Sequence, residues 1–137
     1  HVAALEARGL VADPQLQVDA ITTEEYGQTA CELLLTRGVP FDAICAASDL
    51  IAIGALRALR EHGLRVPQDV RVTGFDDISE ASVAVPPLTP LTADPRERGR
   101  QAAALLLQRL DDPDAPPQRT VAPVQLRIRE SSAARPN

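Results

Sequence analysis

The sequence predicts one α/β domain whose parallel sheet is covered by helices on both faces. Segments with the apolar patterns of strands alternate with segments of helical periodicity, and the connections between them are short. The 137 residues are enough for one domain with its own core. Because the chain has one Tyr, two Phe and neither Trp nor Met, that core must consist of aliphatic side chains.

The first third of the chain is predicted to contain the end of a helix, a strand and a second helix. Residues 2–8 have the composition of a helix end, and residues 15–21 alternate polar and apolar side chains as a strand does. Thr22 and Thr23 precede two glutamates, which predicts a capping box at the start of a helix that ends near Gly38.

The middle of the chain is predicted to hold two strands separated by a helix. Residues 43–47 form a continuously apolar run, typical of a central parallel strand covered on both faces. Cys45 within this run is expected to be a small core residue. Ser48 and Asp49 can cap and charge the N-terminus of the next helix. Residues 70–75 form the following strand, which leads directly into two aspartates.

The last third is predicted to contain an extended crossing, a helix, a strand and a tail. Three prolines in residues 86–90 indicate an extended segment in which neither a helix nor a central strand fits. Residues 94–110 have the Asp-Pro start and the apolar face of a helix. Residues 120–129 should hold an edge or bulged strand, and residues 130–137 should form a frayed tail.

Charge and composition exclude several classes of protein. The 14 basic residues, all Arg, are outnumbered by 19 acidic ones, and the net charge of −5 argues against wrapping nucleic acid unaided. No apolar run approaches the ~18–20 residues that span a bilayer, and residues 1–5 do not resemble a signal peptide. Cys31 and Cys45 could form one bridge, but no export signal favours it, so a cytoplasmic protein is expected.

Three short segments that contain polar residues lie at the ends of predicted strands. They are Ile21–Thr22, Ser48–Asp49 and Asp76–Asp77. Ligands of open parallel sheets bind beyond the carboxyl ends of the strands, so these three segments should meet at one edge. Hydroxyl groups, carboxylates and helix amides at that edge suit a polyhydroxylated ligand. The Asp76 carboxylate can accept two hydrogen bonds from adjacent sugar hydroxyls.

Each of these residues also has a purely structural interpretation. Ser48 and Thr22 can serve as helix caps, and Asp49 can serve as an acidic residue favoured by the helix dipole. Asp76 and Asp77 can form a simple turn. A capping residue can also face a ligand, so the structural and binding roles are compatible.

The motifs of common enzymes are missing from the sequence. It has no G-x-S-x-G elbow and no glycine-rich phosphate loop. The two histidines and two cysteines do not cluster as metal ligands, and His62 is expected to be a solvated residue near a helix end. Adjacent side chains leaving a strand point apart, so Asp76 and Asp77 are not expected to share a cation or a proton. No enzyme activity, metal or cofactor is expected.

Several segments together resemble the lactose/galactose-repressor (LacI/GalR) family. Residues 41–56 (FDAICAASDLIAIGAL) are similar to it, as are residues 63–70 (GLRVPQDV), which run into Gly-Phe-Asp-Asp at 74–77. The Pro-Leu-Thr crossing at 87–89 and the closing Arg-Glu-Ser at 129–131 are similar too. The likeness extends over most of the chain, and the combination of motifs makes it specific.

The resemblance implies a regulator. Members of this family join a helix-turn-helix domain to a two-lobed effector domain of periplasmic-binding-protein type I. A sugar or sugar derivative binds between the lobes and changes the affinity for operator DNA, and members form homodimers in the cytoplasm. The alternative is a sugar-binding protein of a transport system, because such proteins share the lobe architecture.

The resemblance also divides the chain. Residues 1–90 would form the C-terminal lobe of the effector-binding domain, and residues 91–112 would return to an N-terminal lobe outside this chain. Residues 113–130 would supply the final strand region and residues 131–137 a tail. Operator DNA would be bound only through the missing N-terminal domain. One lobe alone should bind the effector weakly or not at all, and the orphaned helix face within 95–110 should pack elsewhere or on a second copy.

The site residues implied by the resemblance lie at the predicted edge. Asp76 matches the acid that hydrogen-bonds the effector, and Ser48, next to Asp49, stands where Asn is common. Ile21 or Thr22 stands where the family often has a stacking aromatic ring. The expected effector-binding set is therefore Asp76, Ser48, Thr22, Ile21 and Asp49. The expected dimer interface contains Ser82, Val83 and Val85.

Overall fold

The computed structural model describes residues 2–133, in which four strands form one mixed sheet. The helices are α1 (Val2–Glu6), α2 (Glu24–Arg37), α3 (Asp49–Glu61), α4 (Ser79–Val83) and α5 (Pro95–Asp111). The strands are β1 (Ala43–Cys45), β2 (Arg71–Phe75), β3 (Thr89–Thr92) and β4 (Gln125–Leu126), and short 3-10 turns span Pro14–Leu16 and Glu130–Ser132. The α/β class predicted from the sequence is confirmed.

The sheet is mostly parallel and has the order β1-β2-β3-β4. Strands β1, β2 and β3 run parallel, with Cys45 opposite Thr73, whereas β4 pairs antiparallel with β3. The pairing continues past β1, because Ala46 N–H donates to Thr73 O at 2.9 Å. The carboxyl ends of β1 and β2 therefore lie side by side, and the loops that leave them begin at the same edge.

Local sequence signals determine where helices α2 and α3 begin and where α2 ends. The Thr23 hydroxyl oxygen accepts from Tyr26 N–H at 3.2 Å and caps α2, which ends at Gly38 with φ of 69°. Thr22 was predicted as a candidate cap, but Thr23 occupies that position. Ser48 caps α3 as predicted, since its hydroxyl oxygen accepts from Ile51 N–H at 3.3 Å.

The core is aliphatic, as the composition requires. One face of α3 packs against β2 and against the segment before β3. The buried residues are Cys31, Ala52, Ala55, Leu56, Ala58, Leu59, Val70, Val72, Ala81 and Leu88. Helix α2 lies very close to α3, because a Cβ atom on Gly27 would collide with the backbone of Ile51 and one on Gly54 with that of Glu24.

The strand predicted at residues 15–21 is not formed. Pro14–Leu16 is a 3-10 turn, and residues 17–21 have no strand partner among residues 2–133. The Arg37 guanidinium donates to the carbonyl oxygens of Gln15 and Gln17 at 2.6 and 2.9 Å. These carbonyl groups are therefore bound to a helix side chain instead of a neighbouring strand.

The apolar run at residues 43–47 does not form a central strand. Within the described chain, β1 pairs only with β2, so it lies at an edge of the sheet. Ala43 and Cys45 are exposed as a result. The expectation of a buried Cys45 is wrong, and both cysteines are free thiols.

The proline-rich crossing contains a central strand, contrary to the sequence-based prediction. Strand β3 includes Pro90 and lies between β2 and β4. The missing N–H of Pro90 removes one ladder hydrogen bond, but the strand still pairs on both sides, because Pro90 O accepts from Arg127 N–H at 3.0 Å and Leu91 O accepts from Asp76 N–H at 2.9 Å. The strand predicted at 120–129 is reduced to Gln125–Leu126.

The segment predicted to be a frayed tail is anchored as far as it is described. Glu130–Ser132 forms a 3-10 turn, and Ser131 is fully buried. Its hydroxyl group accepts from Thr89 N–H at 2.8 Å and donates to Val72 O at 2.6 Å. The prediction fails because it considered only the local composition. Residues 134–137 lie outside the described residues.

The apolar face of α5 is exposed. Leu106, Leu107 and Leu110 are all solvent-accessible, and α5 has no buried residue. Among the described residues, the segment 115–118 lies beside Leu106, but all three leucines remain more than half exposed. None of the helices in residues 2–133 has the length and hydropathy that a membrane span requires.

Candidate functional site

Two loops meet at the carboxyl edge of β1 and β2. The first runs from β1 into α3 and contains Ser48, and the second runs from β2 toward α4 and contains Asp76 and Asp77. A hydrogen bond joins them, because Asp49 Oδ2 accepts from Ile78 N–H at 2.9 Å. The sequence predicted that these segments share an edge, and the pairing of β1 with β2 brings them there.

Ser48 is largely engaged in the structure of its own helix. Its side chain caps α3, and the residue is only 5% exposed. Its carbonyl oxygen accepts from Ala52 N–H at 3.1 Å. Ser48 therefore fixes where α3 begins, and its hydroxyl group presents little surface to a ligand.

Asp49 is buried beneath the second loop. It is 1% exposed, and among residues 2–133 its Oδ1 atom has no hydrogen-bond partner. Burial raises the pKa of its carboxyl group above the ordinary value, and the charges of Asp76 and Asp77 act in the same direction. The backbone N–H of Ile78 favours the charged form and opposes this rise. The hydrogen bond from Ile78 N–H to Asp49 attaches the second loop to the start of α3.

Gly74 makes room for that anchor. A Cβ atom at Gly74 would collide with Oδ1 of Asp49 and would press on the Leu88 side chain. The glycine in the Gly-Phe-Asp-Asp motif therefore has a physical reason: the Asp49 side chain passes directly over the backbone of β2.

The second loop has an unusual backbone. Asp76 has a φ of 109° and Asp77 a φ of 60°, both in the region that L-residues rarely adopt. Such conformations cost about 1–3 kcal/mol each and persist only where the surroundings hold them. The Asp76 N–H donates to Leu91 O at 2.9 Å, which fixes the start of the loop. Asp76 itself is exposed.

Asp77 faces the C-terminal segment and is held by two arginines. Its Oδ1 lies 2.6 Å from Arg129 Nη2 and its Oδ2 lies 2.8 Å from Arg127 Nη1. The Asp77 side chain is only 11% exposed. Sequence reasoning missed this arrangement because it treated the two aspartates as a possible turn. The only signal was the closing Arg-Glu-Ser motif.

Ile21 and Thr22 precede α2 and are both exposed. Thr23 N–H donates to Ile21 O at 2.7 Å, which makes a tight turn ahead of the helix. No hydrogen bond or ion pair within residues 2–133 connects Ile21 or Thr22 with Ser48, Asp49 or Asp76. Their membership in the site stays a prediction.

The site exposes one carboxylate on a loop whose backbone is held by hydrogen bonds to Asp49 and Leu91. Asp49 is buried, and Asp77 is paired with two arginines. Of the three aspartates near this edge, Asp76 is therefore the one that is exposed to solvent. A fixed carboxylate accepts charge-assisted hydrogen bonds from hydroxyl groups. Among the described residues, no group of three or more His, Cys, Asp or Glu is placed to hold a metal ion.

Comparison with a protein-family model decides the relationship. The model described as "periplasmic binding protein-like domain" matches residues 3–132. This chain belongs to that family. The match spans the two loops of the candidate site and the anchored C-terminal turn, so the periplasmic binding protein-like fold covers nearly all of the chain.

The curated relatives of this domain are transcriptional regulators. It is 41% identical over 128 residues to the HTH-type transcriptional regulator CelR of Thermobifida fusca, covering 93% of this chain and 38% of the regulator. It is 35% identical over 136 residues to the HTH-type transcriptional repressor CytR of Escherichia coli, covering 99% of this chain and 40% of the repressor. The likeness to LacI-family regulators is confirmed. The chain spans about two fifths of the length of these relatives.

Solved structures of regulators have the same fold. A transcriptional regulator CelR–cellobiose complex superposes with a TM-score of 0.88 at 40% identity, covering 95% of this chain and 40% of that one. A LacI-type transcription regulator from Bifidobacterium animalis gives a TM-score of 0.87 at 32% identity, covering 97% of this chain and 48% of that one. Both of these structures are of transcriptional regulators.

Proposed function

We propose that this periplasmic binding protein-like domain senses a sugar or sugar derivative for a DNA-binding transcriptional repressor. The observation that carries the proposal is the exposed Asp76 carboxylate, held on a strained loop at the carboxyl edge of a parallel sheet. The similarity to HTH-type regulators, one of them in complex with cellobiose, supports a sugar as the ligand class. Catalysis has no part in this function.

In this proposal Asp76 hydrogen-bonds the effector directly. Thr22 and Ile21 contribute a hydroxyl group and an apolar surface at the rim of the site. Ser48 and Asp49 belong to the site mainly through the loop that they support, because both are nearly or fully buried. Such ligands are held well only when most of their surface is covered. A second lobe, reached through residues 91–112, supplies the other wall.

Two exposed apolar surfaces suit the assembly that this function requires. The exposed face of α5, with Leu106, Leu107 and Leu110, docks on the second lobe. Val83 and Val85 are 77% and 73% exposed and, with Ser82, form the homodimer interface. Operator DNA is bound by a helix-turn-helix domain outside residues 1–137, in a cytoplasmic protein.

The test uses the full-length gene product that carries this chain. Cellobiose, other disaccharides, monosaccharides and sugar phosphates are titrated by calorimetry. Genomic DNA fragments that bind the protein are then selected, and the affinity for these fragments is measured with and without each sugar. We expect one sugar class to bind and to change the DNA affinity. Turnover of a sugar, or DNA binding that no bound sugar alters, would refute the proposal.

A further inference from the structure

The loop that presents Asp76 is tied to a distant part of the chain. Residues 125–132, here named the closing segment, contain Arg127 and Arg129. Both guanidinium groups contact the Asp77 carboxylate, at 2.8 and 2.6 Å. The Arg129 pair spans 52 positions of sequence, and the Arg129 side chain is only 21% exposed. Partly buried ion pairs are screened less by salt than surface pairs are.

Arg129 is held in place independently of Asp77. Its Nη1 donates to Leu88 O at 3.0 Å, and its backbone N–H donates to the Thr89 hydroxyl oxygen at 2.8 Å. Thr89 Oγ1 donates in turn to Arg129 O at 3.0 Å. The neighbouring Ser131 hydroxyl group joins Thr89 to Val72. These hydrogen bonds attach the closing segment to β2 and β3, and they hold Arg129 where it contacts Asp77.

Asp76 and Asp77 need such support because of their backbone. Two successive L-residues with positive φ do not keep that conformation unless contacts hold them. Asp49 supports the loop from α3 through Ile78 N–H, and the arginines support it from the opposite end of the sequence. Because Asp77 directly follows Asp76, the contacts that hold the Asp77 side chain also restrain the backbone from which the Asp76 side chain extends.

We propose that Asp77 is a positioning residue. Through Arg129 and Arg127 it fixes the direction of Asp76 and couples effector binding to the closing segment. This inference rests on the proposed function insofar as Asp76 binds a sugar. The coupling is reciprocal: a ligand that favours one direction of Asp76 also favours the docked closing segment. In the proposed function residues 91–112 reach the second lobe, and the closing segment, whose residues Gln125 and Leu126 pair with β3, is where the chain returns to this sheet.

The test compares Asp77→Asn, Arg129→Gln and the double variant in the full-length gene product. The matched control is Glu61→Gln, which breaks the exposed pair with Arg57 at 3.1 Å near the far end of α3 and keeps an amide oxygen that can accept from Gln28 Nε2. Affinity for cellobiose, or for the tightest sugar of the panel, is measured by calorimetry. We expect each single variant to weaken binding at least tenfold, the double variant to weaken it no further, and the control to bind normally.

Hydrogen exchange supplies a readout that a merely structural role would not change. In the parent protein, bound sugar should slow amide exchange in both the 74–80 loop and the closing segment. In Asp77→Asn the slowing in the closing segment should disappear, while protection of α3 stays the same. Normal sugar affinity of Asp77→Asn, or unchanged protection of the closing segment, would overturn the inference.

Failure of the proposed function gives a different pattern. If no sugar binds the parent protein, exchange in its absence still tests the positioning role, because Asp77→Asn and Arg129→Gln should both speed exchange at 76–78. Equal exchange in the three proteins would overturn it. If Asp77→Asn does not fold, Arg127→Gln takes its place. Arg127 is 59% exposed, and its loss removes one of the two ion pairs without opening the core.

Discussion

The carboxylate of Asp49 accepts a hydrogen bond from the backbone N–H of Ile78 at 2.9 Å, which joins the first turn of α3 to the loop that carries Asp76. This contact places an acidic group in the interior, where its second oxygen has no partner among the described residues. The loop gains a fixed position, and the buried carboxyl group becomes sensitive to pH.

We expect Asp49 to make the stability of the protein fall as pH rises above about 4. Burial raises the pKa of Asp49 above its ordinary value of 3.8, so the folded state binds its proton more tightly than the unfolded state does. The stabilisation is complete below the ordinary pKa and is lost as pH passes through the raised one. Urea denaturation between pH 4 and pH 8 measures the effect.

Asp49→Asn is the reference for this measurement, because its amide oxygen can accept from Ile78 N–H without carrying a charge. The free energy of unfolding of the parent minus that of Asp49→Asn should decrease with rising pH and then level off. An increase of this difference with pH would show that the folded state favours the Asp49 carboxylate.

The contact between α2 and α3 should not tolerate a methyl group. Gly27→Ala and Gly54→Ala each place a Cβ atom against the backbone of the neighbouring helix, so we expect a loss of about 1–3 kcal/mol in unfolding free energy. Gly99→Ala is the matched control. No atom lies within 4 Å of its added Cβ, and a helical alanine should stabilise by about 0.5–1 kcal/mol. Thermal unfolding that ranks the three variants alike would contradict this account.

The Ser131 hydroxyl group should be essential for docking the C-terminal turn. Ser131→Ala leaves Thr89 N–H and Val72 O without this partner in the interior, which we expect to cost about 1–3 kcal/mol of unfolding free energy. Ser79→Ala removes an exposed hydroxyl group that donates to the Glu80 carboxylate at 2.9 Å, a neighbour in sequence, and it should change stability little. Equal unfolding midpoints for the two variants would contradict the anchored turn.

The two thiols should differ sharply in reactivity. Burial, aided by the charge of Glu32, raises the pKa of Cys31 to about 11, whereas Cys45 is exposed on β1. Because the thiolate is the nucleophile, a disulfide reagent at pH 8 should label one thiol in the folded 137-residue chain and two after denaturation. Peptide mapping should find the label on Cys45, and fast labelling of Cys31 would be inconsistent with the packing of α2.

The sequence predicts features that local chemistry determines. The start of α3 follows from the Ser48 cap as predicted, and the start of α2 lies one residue from the prediction, because Thr23 is the cap instead of Thr22. Features that depend on distant partners are not accessible in this way. Pro90 lies in a central strand because Arg127 reaches its carbonyl group, and β1 lies at an edge because the described chain gives it one neighbour.

The same distinction between local signals and contacts with distant partners applies to the candidate site. The rule that ligands meet the carboxyl ends of parallel strands selects the loops of Ser48 and Asp76. The rule does not show that Asp49 is withdrawn beneath the second loop, since burial depends on the packing of Gly74 and Ile78 above it. Nor does it pair Asp77 with Arg129, because that contact exists only when the C-terminal segment is docked.

The most direct test of the central claim is calorimetric titration of sugars into the full-length gene product and its Asp76→Asn variant. The control is Asp42→Asn, an exposed aspartate at the amino end of β1, away from the candidate site. We expect Asp76→Asn to lower the affinity for the bound sugar at least tenfold, since a charge-assisted hydrogen bond contributes about 1.5–3 kcal/mol, and Asp42→Asn to bind as the parent does. Equal sugar affinity for the parent and Asp76→Asn would contradict the assignment of this loop as the effector site.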